Sequence, residues 1–414
     1  MSASRTDPSG RPPRVQHPGL QRRVAQGGYS VVELLVAMGI TLSVLGSLFT
    51  LVNGWQLRFS AESDGADARQ RLRVAVDTLS KDLRLAGAGA RYGGGAGPLG
   101  VTAASVLPFR QGALAPDAPG TFRTDTVTAL YVLPETTAQT TIQQPVAAAS
   151  GTAFINLDAG CPQTGSACGF APGMDVIVYD ETGSYDTFRV TDVQPATLQL
   201  QHTMPDTPQF YAAGATIAEA ASTTYMLKTN LNTDTFQLIR YNGVGSAAAA
   251  VDHVVGLAFE YFGEPLPPVL LRAVTDPVGP WTTYGPRPPP PGMQSTAYDP
   301  GENCAFQVDA ATGHQVSRLP LLGSGSREFV KLTAAELTDG PWCPDPTNPH
   351  RYDADLLRIR RVSVTVRVEA SLSALRGPAS ILFARGGTAR LANAWVPDQE
   401  MRFDISPRNL NPPR

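Results

Sequence analysis

A long uncharged apolar segment near the start of the chain restricts its fold more than any other feature. The nineteen residues from Leu34 to Val52 include no charged side chain, and about 20 apolar residues make one membrane-spanning helix. One carboxylate, Glu33, lies at the edge of this segment. Because an ionised acid in hydrocarbon costs on the order of 3 kcal/mol, an acid in this position indicates a functional role and a partner charge.

Two ordinary explanations compete with this interpretation, a plain signal anchor and a cleaved secretory signal. The apolar core of a secretory signal is only about 7 to 15 residues long and ends in a small-x-small site. The segment here is longer, and a plain anchor needs neither Glu33 nor the glycine before the span, Gly28. We therefore expect the acid and the glycine to have roles of their own.

Flanking charges predict the orientation of the segment. Positively charged flanks stay in the cytoplasm, and the residues before the span contain one acid, Asp7, against five arginines: Arg5, Arg11, Arg14, Arg22 and Arg23. Everything after the predicted interfacial anchor Trp55 is then exported. The exported part has no basic patch strong enough to predict direct binding of nucleic acid.

The residues around Gly28 resemble the processing site of type IV prepilins and type II secretion pseudopilins. The similarity is carried by Gly28-Tyr29-Ser30-Val31-Val32-Glu33 and the apolar residues that follow. It implies that a prepilin peptidase cleaves between Gly28 and Tyr29, that Tyr29 is then N-methylated, and that Glu33 becomes the fifth residue of the mature chain. It also implies an assembly role for Glu33, whose carboxylate would pair with the new amine of a neighbouring subunit.

The helix is predicted to continue beyond the membrane as an amphipathic stretch over residues 56–87. Small and apolar residues recur there at alternating three- and four-residue spacings: Ala68, Leu72, Ala75, Val76, Leu79, Leu83 and Ala86. Gly87 follows in the position that favours left-handed backbone after a helix. The weak helix formers at Asn53-Gly54 and Ser63-Asp64-Gly65 predict a bend or a melted turn between the two halves.

Two further segments narrow the resemblance to PilW-type minor pilins and the related J-type pseudopilins. One is the helical stretch from Ala68 to Gly87, and the other is the end of the chain from Asp398 to Leu410. The resemblance implies an α+β, type IV pilin-like fold, in which a long transmembrane and amphipathic helix precedes a large, mostly antiparallel β ectodomain. The residues from about 263 to 355 resemble no family.

The rest of the chain divides by composition and pattern. Residues 1–28 are the predicted leader, 29–55 the transmembrane helix, and 88–100 a glycine-rich linker. The run Gly93-Gly94-Gly95 is interpreted as part of a linker because it lacks the lysine and hydroxyl of a phosphate-binding loop. Strand patterns follow in 101–262 and in 356–414, at 126–132, 153–157, 175–179, 187–193, 197–202, 223–227, 236–240, 254–262 and 359–370. Turn residues between them predict two hairpins, over 175–193 and 223–240.

Prolines mark the remaining segment, 263–355, which includes the run Pro288–Pro291. Prolines at this density do not allow a continuous central strand. The segment is therefore predicted to be an inserted surface excursion, either an exposed recognition loop or passive decoration.

Four exported cysteines predict disulfides: Cys161, Cys168, Cys304 and Cys343. Proximity favours Cys161 with Cys168 and Cys304 with Cys343, although four cysteines allow three connectivities. A zinc site is the alternative, and the spacing includes no C-x2-C pair.

Other polar clusters give weaker signals. A turn offers oxygen ligands for calcium in Asp180, Glu181, Ser184 and Asp186, at no known spacing, and a solvent-facing turn is the alternative. Arg358, Arg360 and Arg361 suit either an acidic partner or a solvated strand end. The exported histidines are His202, His253, His314 and His350, and none has a catalytic or metal spacing, so we expect no enzyme, no metal and no cofactor.

The sequence thus predicts a minor pilin at the initiating complex or tip of a type IV pilus, with possible roles for such subunits in adhesion, twitching motility or DNA uptake. Its partners would be other minor and major pilins, the prepilin peptidase, the inner-membrane assembly platform and the membrane. It would span the inner membrane once, with its ectodomain in the periplasm, before joining a fibre at the cell surface. The alternatives are a type II secretion pseudopilin and a membrane-tethered adhesin or binding protein.

Overall fold

The computed structural model describes residues 28–89, 99–112, 117–118, 120–133, 138–147, 150–157, 161, 167–203, 210–230, 235–243, 247–294, 296–323, 328–348, 350–376 and 396–411. The predicted leader up to residue 27 and the glycine run Gly93–Gly95 of the predicted linker lie outside these ranges. The chain divides into two compact units, one ending at Phe59 and one beginning at Ser60.

One long helix, α1, spans Val31–Leu85, and a short helix, α2, spans Leu99–Thr102. Residues 53–54 and 63–65 are helical, so the prediction of a melted turn was wrong: helical hydrogen bonding outweighs the weak propensity of a few residues. Gly87 follows α1 with φ +82°, the left-handed conformation that its position predicted. A side chain there would collide with Leu410, since a Cβ at Gly87 would lie 2.6 Å from its Cδ2.

The second half of α1 packs on the β-sheets through the predicted stripe. The stripe residues at 68, 72, 75, 79, 83 and 86 are all buried in the main core, and Val76 is half-buried against it. Burial of about 25 cal/mol per Å² of apolar surface stabilises this docking. The amphipathic prediction for residues 56–87 is therefore confirmed from Ala68 onwards.

Ten strands form the first sheet. They are β1 Val106–Pro108, β2 Val127–Val132, β3 Gln139–Thr141, β4 Thr152–Phe154, β5 Asp175–Tyr179, β6 Tyr185–Gln194, β7 Gln199–His202, β8 Thr216–Asn230, β9 Thr235–Tyr241 and β10 Ala248–Asp252. The central strand is β8, which pairs with β2, β3, β5 and β9 along its length. The sheet continues from β5 through β6 and β7 to β4, and from β9 to β10. Both predicted hairpins, β5–β6 and β8–β9, are present.

Eight further strands follow. They are β11 Val254–Gly263, β12 Phe306–Val308, β13 Gln315–Ser317, β14 Val330–Leu332, β15 Trp342–Cys343, β16 Tyr352–Asp353, β17 Ile359–Val368 and β18 Gln399–Ile405. A four-stranded sheet has the order β14-β11-β17-β18, and two small ladders join β12 with β13 and β15 with β16. Short 3-10 helices lie at Ala167–Gly169, Ala354–Arg358, Ser373–Leu375 and Arg408–Leu410. The ladders of both sheets are antiparallel throughout the described chain, as predicted.

The proline-rich segment is the connection between β11 and β17, whose ends are paired at Gly263 and Ile359. Its strand β14 extends the four-stranded sheet through β11, and its side chains Tyr284, Leu319 and Leu337 are buried in the main core. The prediction of a surface excursion was therefore wrong. The turn-rich composition did not indicate that these apolar side chains are buried, because their burial depends on contacts with residues distant in the sequence.

Two large hydrophobic clusters stabilise the ectodomain. The main cluster joins the docked part of α1 with β1, β2, β11 and β17. The second lies around β5, β6 and β7 and includes Phe170, Phe188 and Tyr211.

Candidate functional site

Residues Gly28 to Ser30 precede the helix as exposed, non-helical chain. Tyr29 is 88% exposed. The Ser30 N–H donates to Glu33 Oε2 over 3.0 Å, and Ser30 Oγ accepts from the Val32 N–H over 3.3 Å. These two bonds form a capping box that begins the helix. The Ser-x-x-Glu spacing is readable in the sequence, but the prediction assigned no role to Ser30.

The apolar half of α1 has the composition of a membrane span. Val31–Asn53 has a mean hydropathy of 2.2, and none of its side chains is buried. A signal sequence near the N-terminus has the same properties. The hydroxyls of Thr41, Ser43, Ser47 and Thr50 each donate to a helix carbonyl three or four residues earlier. Such internal pairing removes the cost of placing hydroxyls in hydrocarbon.

A buried acid, Asp82, bonds the second half of α1 to the ten-stranded sheet. Tyr225 OH donates to Asp82 Oδ2 over 2.6 Å, and Arg240 Nε donates to the same oxygen over 2.8 Å. Tyr131 OH donates to Oδ1 over 3.2 Å. Burial, together with the adjacent Asp82 charge, raises the pKa of Tyr225, so its hydroxyl remains a donor. The donors satisfy a carboxylate that is only 3% exposed.

Asp82 was missed as a contact residue because charge usually marks the solvent face of a helix. It lies three residues after Leu79 and four before Ala86, both on the buried stripe. An acid so close to the stripe is a candidate for a polar contact, but the sequence does not show whether residues distant in the chain reach it.

A second polar cluster bonds α1 to the chain that follows β17. Asp64 accepts from the N–H groups of Ser371 and Leu372 over 3.2 and 3.4 Å. Nearby, Arg376 Nη2 lies 3.0 Å from His253 Nδ1, and Arg376 Nη1 lies 3.1 Å from Glu369 Oε1. Burial, reinforced by Arg71 and Arg376, lowers the pKa of His253. The neutral ring therefore accepts the hydrogen bond from Arg376.

Both disulfides join the cysteines that proximity predicted. Cys161 is bonded to Cys168, and Cys304 to Cys343. The second bond closes a loop within the proline-rich segment, across a separation of 39 residues. It holds the middle of the segment to β15.

The predicted basic cluster is neither a solvated strand end nor a surface for an acidic partner. Arg358 is fully buried and donates to the carbonyls of Glu264, Pro265 and Pro320 over 3.2, 3.3 and 2.6 Å. Its Nε lies 2.5 Å from Asp355 Oδ1. Because it bonds the start, middle and end of the proline-rich segment, Arg358 fixes the path of that segment.

The two neighbouring arginines have separate surroundings. Arg360 is 6% exposed, donates to the Leu357 carbonyl over 2.8 Å and lies over the ring of Tyr284. Arg361 is half-buried over the ring of Phe262. Successive side chains of β17 point to opposite faces of the sheet, so consecutive arginines in the sequence do not form one basic patch.

The acids of the first hairpin do not converge. Asp180 Oδ1 accepts from the Thr182 N–H and hydroxyl over 2.9 and 2.5 Å. Glu181 lies 3.2 Å from Arg287, and Asp186 lies 3.7 Å from His350. Each acid thus has its own partner in the turn or beside it. The geometry therefore does not support a calcium site formed by these acids.

A different set of acids does converge, around the end of the proline-rich segment. Carboxylate oxygens of Asp339, Asp353 and Asp355 lie within 4.8 Å of one another. Asp353 accepts from the N–H groups of Gly340 and Asp355 over 2.6 and 2.8 Å. Carboxylates are ligands for hard cations, but one of these oxygens already faces Arg358.

Burial sets the protonation of this acid cluster. It raises the pKa of Asp353 to about 7 and, against the opposing charge of Arg358, that of Asp355 to about 6. The folded state therefore keeps protons that the unfolded chain releases above about pH 4. The cluster's contribution to stability falls as the pH rises from about 4 towards 7.

No model of a known protein family matches the chain, and no curated protein matches it. The family resemblance consequently depends on the residues named above. Of these, Gly28, Tyr29 and Glu33 lie together at the start of α1, and the cysteines form their two pairs.

Proposed function

We propose that this chain is a PilW-like minor pilin, an assembly subunit of the initiating or tip complex of a type IV pilus. The observation that carries the proposal is the position of Glu33. It is the acid of the first helical turn, five residues after Gly28 and directly before the exposed, uncharged stretch Leu34–Val52 of the same helix. An acid at this point has a purpose if a cation arrives when subunits pack together.

Cleavage after Gly28 would create that cation. The exposed, non-helical backbone of Gly28 and Tyr29 supports access by a peptidase. The new amine of Tyr29, with an ordinary pKa near 8, would be largely protonated at neutral pH. In this proposal it pairs with Glu33 of a neighbouring subunit in surroundings of low dielectric, where such pairs are stronger than in water.

The proposed pairing competes with a contact inside the chain. Glu33 now accepts from the Ser30 N–H, and a capping interaction of this type contributes about 1 kcal/mol. Assembly must therefore supply an interaction that outweighs the cap or shares the carboxylate with it.

The proposed location follows from the same residues. The subunit would wait in the inner membrane, with its N-terminus in the cytoplasm and its ectodomain in the periplasm, and then enter a fibre at the cell surface. Its partners would be the prepilin peptidase, the assembly platform, and other minor and major pilins.

A type II secretion pseudopilin is the second candidate, since its processing site has the same residues. Neighbouring genes separate the two: other minor pilins favour the pilus, and a secretin-linked secretion system favours the pseudopilus. A tethered adhesin with its binding function in the proline-rich segment gains less support, because that segment contributes to the ectodomain core.

Two substitutions of Glu33 test the proposal. Glu33→Gln retains an acceptor for the Ser30 N–H but removes the charge, whereas Glu33→Ala removes both. We expect both variants to be inserted and processed, and both to be depleted from sheared fibres by about tenfold, since a lost pair of about 1.4 kcal/mol changes an equilibrium tenfold. Normal incorporation of Glu33→Gln would contradict charge pairing, and a defect in Glu33→Ala alone would assign the acid to helix capping.

A further inference from the structure

Strand β10 is an edge of the ten-stranded sheet that has little of the usual protection against pairing. Sheet edges are normally short or charged. In the described part of the chain, β1, β4 and β14 have three residues each, and β18 contains Glu400, Arg402 and Asp404. By contrast, β10 has five residues, Ala-Ala-Ala-Val-Asp, with no charge before Asp252.

The backbone of β10 has hydrogen-bonding groups to offer. It pairs with β9 on one side, and no described residue bonds to the backbone of residues 248–251 from the other side. An irregularity between Ala249 and Val251 bends the strand. A bend shortens the ladder that another strand can form, but it leaves the outward N–H and C=O groups free.

A groove runs beside this edge. It has a volume of about 230 Å³ and lies between α1, at Asp67, Gln70, Arg71 and Val74, and β10, at residues 249–252. Val74 is 45% exposed there. An extended segment paired with β10 would send alternate side chains to the side of this groove.

The charges around the groove determine which kind of segment can bind in it. Asp67 and Asp252 lie on its rim. The guanidinium of Arg71 is 2.5 Å from Asp67 and 3.7 Å from the buried Asp64, so Arg71 and Asp67 already offset each other, whereas Asp252 accepts from the neutral amide of Gln237. The groove therefore favours a segment that has a basic residue and disfavours an acidic one.

We propose that β10 receives an extended, basic segment of a partner subunit, which adds a strand to the sheet. Main-chain hydrogen bonds to residues 248–251 would give affinity, as in β-strand addition generally. An apolar side chain of the segment would cover Val74, and a lysine or arginine would face Asp252. This interface does not depend on processing at Gly28.

Hydrogen exchange on the full chain in detergent micelles tests the proposal. The probe is the synthetic peptide acetyl-Lys-Val-Thr-Val-Thr-amide, and its control has alternate backbone nitrogens methylated. We expect the parent peptide at saturation to slow exchange of those amides of residues 248–251 that point away from β9 by about tenfold, and the methylated control to slow none. Ala249→Lys should abolish the effect, whereas Met401→Lys on the charged edge β18 should retain it.

Four outcomes would overturn the proposal. They are no slowing at millimolar peptide, equal slowing by the methylated control, an unchanged response in Ala249→Lys, and slow exchange of the outward-facing amides before any peptide is added. The last result would show that the edge is already occupied. Protection that disappears on dilution would identify a second copy as the occupant, and protection that persists would identify another segment of the same chain.

Discussion

At the scale of single residues, Asp82 explains how a polar side chain can strengthen an apolar docking face. Three donors from three strands converge on one carboxylate within a mostly apolar contact. Such a network is favourable only when every member is satisfied. It therefore fixes the rotation of α1 on the sheet as well as its position.

We predict that Asp82→Ala lowers the free energy of unfolding of the ectodomain by about 3 kcal/mol, because it leaves two tyrosine hydroxyls and a guanidinium without their acceptor. Urea denaturation measures the change. The matched control is Asp77→Ala, on the exposed face of the same helix, where we expect at most about 0.5 kcal/mol. Equal losses in the two variants would show that Asp82 has no special role in docking.

His253 makes the second polar cluster, which joins α1 to the chain after β17, sensitive to acid. Its pKa is lowered, so below about pH 6.5 the unfolded chain binds a proton that the folded chain resists. Stability is lost as the pH falls through this range. The residue has φ +59°, a conformation that asparagine tolerates, and an asparagine Oδ1 can accept the bond from Arg376 in place of Nδ1.

We therefore expect His253→Asn to lose less stability, or gain more, than the parent chain on going from pH 7 to pH 5, measured by urea denaturation at both pH values. The exposed His314→Asn is the control and should leave the difference unchanged. A variant whose loss between these pH values equals that of the parent chain would exclude His253 as the source.

Sequence reasoning succeeded at positions with local signals. The stripe on α1, Gly87 and the hairpins all follow from short-range spacing and turn chemistry. It failed for Arg358 and Asp82, whose burial depends on partners distant in the chain. It also assigned the calcium alternative to residues of one turn, whereas Asp339, Asp353 and Asp355 meet because β15 pairs with β16.

At the scale of elements, the proline-rich segment contributes to the stability of the ectodomain. It adds β14 to β11, fills part of the main core and is bonded internally through Arg358 and a disulfide. Its deletion would expose apolar surface on β11 and β17. Removing 263–355 is therefore a poor test of ligand binding, because the loss of fold would abolish binding indirectly.

The two disulfides should differ in their contributions. In the chain-entropy model a loop with the separation of Cys304 and Cys343, 39 residues, gives about 4 kcal/mol, against about 2.5 kcal/mol for a loop of about eight residues. We predict that replacing Cys304 and Cys343 by serine destabilises the ectodomain more than the same change at Cys161 and Cys168. Chemical denaturation of both double variants measures the difference, and the reverse order would contradict a stabilising role of the longer loop.

At the scale of the whole molecule, the two halves of α1 have different surfaces. From Leu34 to Val52 the side chains are exposed, uncharged and mostly apolar, whereas from Ala68 to Ala86 the apolar stripe is buried by the molecule's own sheets. The first half therefore needs an apolar environment that the described chain does not provide. A membrane, followed by the helices of neighbouring subunits, meets that need in the proposed function.

The central claim is that the chain is processed after Gly28 so that a new amine can pair with Glu33. The most direct test is mass spectrometry of the N-terminal peptide of the protein purified from membranes and fibres. We expect the peptide to begin at Tyr29, with its amine carrying one methyl group. A chain that keeps residues 1–28, or one cleaved elsewhere, would contradict the account.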